Sequence, residues 1–142
     1  MKNLIIGLFT ALLMSAGLVG VAQSAADAAG CNSYTGCPVK TRTVVGGSSK
    51  VLAGRRGTFC VSVTADASGN GRPHGTVTLT VANGGHGFRY TATKGYFGKQ
   101  RCFTTPRLQS AGSYTARAHF EGKGVYRNSN GSKGFTVVKR HR

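Results

Sequence analysis

The chain has 142 residues, with 19 Lys and Arg against 3 Asp and Glu, for a formal net charge of +16. Once an N-terminal leader is set aside, about 114 residues remain, enough for one domain with one hydrophobic core and too few for an array of repeats. With 22 glycines, 3 prolines, abundant Thr and Val and no helical periodicity beyond Gly30, the composition argues against a helical bundle and for an all-β chain of short strands and many turns.

Lys2 precedes an apolar run from Leu4 to Met14 that fades through Gly17, Gly20 and Gln23. This is the pattern of a secretory signal peptide, and Ala26-Asp27-Ala28 offers the small residues that a signal peptidase reads, so residues 1–28 are assigned to the leader. A retained anchor would need about twenty apolar residues, which the run reaches only by counting polar and glycine positions. Ala28-Ala29-Gly30-Cys31 resembles a lipoprotein box, but Ala28 stands where Leu is usual, and lipidation of Cys31 would leave three cysteines. Cleavage after Ala28 removes Lys2 and Asp27 together, leaving the charge at +16. The mature chain is therefore expected outside the cell or at its surface, with no membrane span.

Four cysteines in an exported chain imply two disulfides with three connectivities. Residues 29–40 contain the Cys31 to Cys37 loop, whose spacing is poor for zinc and suits a local bridge. Thr41 to Val45 is a first strand, ended by Gly46-Gly47-Ser48-Ser49. Val51 to Gly54 leads to a basic turn at Arg55-Arg56-Gly57. From Thr58 to Thr64, Phe59, Val61 and Val63 alternate inward, so Cys60 points away from the core. After a Gly-rich turn region from Asp66 to Gly75, Thr76 to Val81 buries Val77, Leu79 and Val81. Asn83-Gly84-Gly85 is a hairpin signal. Phe88, Tyr90 and Ala92 then alternate with Arg89, Thr91 and Thr93. Beyond a turn from Gly95 to Gly98, Gln100 to Thr105 places Phe103 inward and Cys102 outward. Tyr114, Ala116, Ala118 and Phe120 define a central strand whose outward positions carry Thr115, Arg117 and His119. Phe135 to Val138 is the last strand, and the domain 41–138 ends in the basic tail Lys139, Arg140, His141, Arg142.

Several of these segments together resemble the bacterial immunoglobulin-like repeat domains of secreted and surface proteins, particularly those of actinobacteria. Ala53-Gly54 followed by Thr58-Phe59-Cys60-Val61-Ser62-Val63 is similar to the family's second strand, Gly75-Thr76-Val77-Thr78-Leu79-Thr80-Val81 to its Gly-Thr-Val-Thr strand, and Leu108 to Gly122 with Tyr126 and Ser129 to its Gly-Thr-Tyr strand and following turn. The resemblance implies an immunoglobulin-like antiparallel β-sandwich of about seven strands with Greek-key connections. It implies that Cys60 and Cys102 face each other on neighbouring strands and pair, leaving Cys31 for Cys37. It also implies that Tyr114, after Leu108 and a glycine turn, is a tyrosine corner. Lys123 stands where the family usually has Asp, which argues against a carboxylate-based calcium site. Ala116 stands where an antibody domain has its second core cysteine, so the antibody-type bridge between sheets is absent.

Asp66 and Glu121 are the only mature carboxylates, and no nucleophile motif accompanies them or any histidine. Neither an enzyme nor a cofactor or metal site is therefore expected. Phe88-Arg89-Tyr90 and Lys94 to Lys99 interleave bases with aromatics, as single-strand binding platforms do, so nonspecific nucleic-acid binding is a further expectation. The leading functional expectation is a secreted cationic binding or structural module for anionic cell-wall or matrix polymers. Its candidate contacts are Arg89, Arg117 and His119 from strands and Lys139, Arg140 and Arg142 from the tail. The alternative is a secreted antimicrobial or inhibitor protein presenting loops such as Gly84 to Gly87.

Overall fold

The computed structural model describes residues 37–66, 71–85 and 87–139. The leader and its cleavage site, Cys31, Arg140 and Arg142 lie outside the described residues. Eight strands follow one another: β1 (Thr41–Gly47), β2 (Lys50–Leu52), β3 (Arg56–Ala65), β4 (His74–Ala82), β5 (Arg89–Phe97), β6 (Arg101–Arg107), β7 (Gly112–Gly122) and β8 (Ser129–Val138). They form a three-stranded sheet in the order β1-β3-β6 and a five-stranded sheet in the order β2-β8-β7-β4-β5. This is an all-β, immunoglobulin-like sandwich.

The alternation read from the sequence generates the core. Phe59 and Val61 from one sheet meet Val77, Leu79, Val81, Ala116, Ala118 and Phe120 from the other, all essentially buried. Tyr114 enters this core at 2 % exposure, and its hydroxyl donates to the Ser110 carbonyl at 2.9 Å, the geometry of a tyrosine corner. Phe88 and Tyr90, expected inside, are only half-buried and flank the core.

Three differences from the sequence reading have physical causes. The added strand β2 is three residues long, too short to display a period, and it pairs parallel to β8, whereas the other pairings between the named strands are antiparallel. To reach it the chain leaves the first sheet at Gly47, whose φ of +142° favours glycine and whose missing Cβ would lie 2.8 Å from the Thr58 carbonyl. Strand β5 continues through Gly95 to Phe97, because only Gly98 takes the left-handed conformation of the expected turn. Strand β8 begins at Ser129 rather than Phe135, since its first inward positions are Ser129, Gly131 and Lys133 and carry no apolar signal.

Cys60 and Cys102 are register partners across β3 and β6 and form a disulfide within one sheet, their Cα atoms 3.9 Å apart. Cys37 is also disulfide-bonded, while its expected partner Cys31 lies outside the described residues.

Candidate anion-binding surface

Burial of Tyr114, Ala116, Ala118 and Phe120 forces the intervening residues of β7 onto the outer face of the five-stranded sheet. Register then sets their neighbours. Arg117 lies between Thr80 of β4 and Ser132 of β8, and His119 lies between Thr78 and Asn130. Arg89 opposes Ala82, whose other neighbour is Thr115. These residues line a shallow, open hollow of about 810 Å³. The structure therefore brings together Arg89, Arg117 and His119, three of the six cationic candidates.

Threonines support the floor of this face. Thr78 and Thr93 share a hydrogen bond of 2.8 Å, and Thr80 and Thr91 one of 3.2 Å, so cross-strand pairs use hydroxyls that would otherwise compete for ligand. Asn130 Oδ1 accepts from His119 Nδ1 at 2.7 Å, which ties the ring to β8. Among the described residues, the one carboxylate on this face is Glu121, two residues beyond His119 at the far end of β7. Lys139 is exposed beyond β8 and does not line the hollow. Arg140 and Arg142 lie outside the described residues.

The interleaved stretch from Lys94 to Lys99 has a different place. Tyr96 is buried to 2 % and Phe97 is 61 % exposed, so one aromatic rather than two faces solvent. Lys94 Nζ donates to the Cys102 carbonyl at 2.7 Å and sits 5.1 Å from the Phe103 ring centroid. Arg101 Nε donates to the Gly95 carbonyl at 2.9 Å. These two cations bridge β5 and β6, the outermost strands of different sheets, and cover edges that would otherwise present bare backbone. Their charge serves the fold. Sequence alternation alone missed this, because Lys94 occupies an inward position of β5.

Sequence reasoning noted the basic turn at Arg55 and Arg56 but did not join it to Arg107; the three line a second hollow of about 640 Å³ at one end of the sandwich. The signal was divided between a basic turn and a residue some fifty positions later, brought together by the pairing of β3 with β6. Among the described residues, no group of three or more His, Cys, Asp and Glu is placed to hold a metal ion.

No protein-family model and no curated protein matches the chain. Among solved structures, it is similar to a variant of the superoxide reductase (neelaredoxin) from Ignicoccus hospitalis, at 16 % identity and a TM-score of 0.52 over 68 % of this chain and 80 % of that one. It is also similar to a CARDB domain from Pyrococcus furiosus, at 17 % identity and a TM-score of 0.44 over 70 % of this chain and 89 % of that one. A third similarity is to BslA, a bacterial hydrophobin, at 13 % identity and a TM-score of 0.45 over 72 % of this chain and 97 % of that one. At such identities a likeness speaks for fold alone, and the fold is a β-sandwich.

Proposed function

We propose that the protein is an exported, cationic, non-enzymatic module of the bacterial immunoglobulin-like kind that binds anionic polymers at the cell surface or in the matrix. The observation that carries this reading is the convergence of Arg89, Arg117 and His119 on one open, hydroxyl-rich sheet face. An open face suits an extended chain better than a small molecule, and the Thr115 and Ser132 hydroxyls beside the arginines add hydrogen bonds without selecting a sequence or sugar. The net charge of +16 adds long-range attraction for polyanions. Export is supported by the Cys60–Cys102 disulfide, a bond that persists in oxidising compartments.

Co-sedimentation of the mature protein with teichoic acid, DNA and a neutral glucan at several salt concentrations tests the reading. Retention on both polyanions at low salt, lost as salt rises, is the expected result. Tight binding to the neutral glucan that ignores salt would overturn it.

A further inference from the structure

We infer that Arg55, Arg56 and Arg107 form a discrete site for a phosphate group at one end of the sandwich, separate from the sheet face. The three side chains line one hollow with Ala53 and Gly54. Arg56 and Arg107 are direct register partners across β3 and β6, and like charges so placed repel unless an anion lies between them. Among the described residues no carboxylate side chain offsets them there. Asp66 follows the far end of β3 and Glu121 stands near the far end of β7, each roughly a strand length, about 30 Å, away.

The backbone under the arginines is tied down. Leu108 N–H donates to the Arg55 carbonyl at 2.9 Å and Gly54 N–H to the Leu108 carbonyl at 2.8 Å, joining the turn before β3 to the chain leaving β6. Between Arg56 and Thr58 the β3–β6 register shifts, and the Gly57 N–H exposed by that shift donates to Thr105 Oγ1 at 2.9 Å. Thr105 is fully buried, and its hydroxyl donates a hydrogen bond to the Pro106 carbonyl at 2.8 Å. It thereby acts as a positioning residue that sets Arg56 opposite Arg107. Guanidinium groups present planar forks of N–H donors that match the oxygens of phosphate, so an ordered group of three selects a compact oxyanion over diffuse negative charge. Lys139 follows Val138, whose carbonyl accepts from Ala53 N–H at 2.8 Å, and adds positive charge to the same end.

The test follows backbone amide shifts of the isotopically labelled mature protein while inorganic phosphate, or a glycerol phosphodiester, is titrated at constant ionic strength. Saturable shifts centred on residues 54–57 and 107–108 are expected. Arg107→Gln should weaken binding about tenfold or more, and Arg107→Lys should also weaken it because it keeps the charge and loses the fork. Arg117→Gln should leave it unchanged. Tighter binding of inorganic phosphate assigns the site to a terminal phosphate, and tighter binding of the diester assigns it to a polymer backbone. Shifts spread over the sheet face, an equal loss in Arg117→Gln, full binding in Arg107→Lys, or no saturation with either probe would overturn the inference. Polymer retention through the sheet face is a separate readout, so either result stands without the other.

Discussion

The hydroxyl of Tyr96 serves both backbone groups of Val63, accepting from its N–H at 2.8 Å and donating to its carbonyl at 3.1 Å. Pairing of β3 with β6 runs only from Arg56 to Val61, so beyond it the side of β3 that faced β6 has no strand to bond. One side chain from the opposite sheet completes the ladder there. Tyr96→Phe keeps the ring against Phe120 but leaves a buried N–H and carbonyl without partners. The expected cost is about 1–3 kcal/mol. A chemical denaturation midpoint indistinguishable from the parent would show that water replaces the hydroxyl freely.

Tyr114→Phe should cost less. Its hydroxyl makes one bond, to the Ser110 carbonyl, in a part-buried loop where that carbonyl can turn to water. About 0.5–1.5 kcal/mol is expected, with the circular dichroism spectrum unchanged and the melting temperature a few degrees lower. A larger loss than that of Tyr96→Phe would invert this ordering and place the corner above the ladder cap in importance.

The difference between these two tyrosines also explains what was legible in the sequence. Tyr114 follows Leu108 and a glycine turn and heads an alternating run, so local pattern reported its burial, and the resemblance to immunoglobulin-like domains implied its bond. Tyr96 sits between Gly95 and Phe97 with lysines nearby, and its partner is 33 residues away in another sheet. No local period encodes such a relationship. The same division holds for the surface: Arg117 and His119 were readable as outward positions of one strand, and Arg89 as an outward position of another. Their assembly into one hollow depended on the register of β4 with β5 and β7. The start of β8 was hidden for a related reason, since Gly131 and Lys133 hold inward positions without apolar side chains.

The Cys60–Cys102 bridge spans 42 residues of sequence. Chain entropy for a loop of that length corresponds to about 4 kcal/mol of stabilisation, so replacing both cysteines by alanine should bring a large fall in the denaturation midpoint. Peptide mapping under non-reducing conditions should recover Cys60 joined to Cys102 and Cys31 joined to Cys37. Any peptide joining Cys31 to Cys60 or Cys102 would refute the pairing.

Gly131 lets β8 approach β1. A Cβ there would overlap the Thr43 carbonyl, which is backbone and has little room to yield. Thr43 itself is held by Ser129, with 2.7 Å between the hydroxyl oxygens, so β1 cannot withdraw without breaking that bond. Gly131→Ala should therefore destabilise by about 1–3 kcal/mol, as overpacking does. Gly134→Ala on the same strand is the control, because nothing lies within 4 Å of its Cβ position. Equal stability of the two variants would mean that β8 is free to shift.

The sheet-face reading makes a quantitative claim about salt. If about six cationic groups contact phosphates of duplex DNA, counterion release gives a log-log salt slope near five, and each contact removed should lower it by about 0.9. Arg89→Gln and Arg117→Gln should each reduce the slope by about one unit, and the double variant by about two, because the two residues lie on different strands and contact the polymer independently. Affinity for teichoic acid and for DNA should fall in parallel, since neither arginine reads a base or a sugar. Arg42→Gln on β1 of the other sheet is the comparison, as it removes the same charge from a different surface. A slope that falls equally for Arg42→Gln and Arg117→Gln would show that net charge alone governs retention and that the hollow contributes nothing of its own.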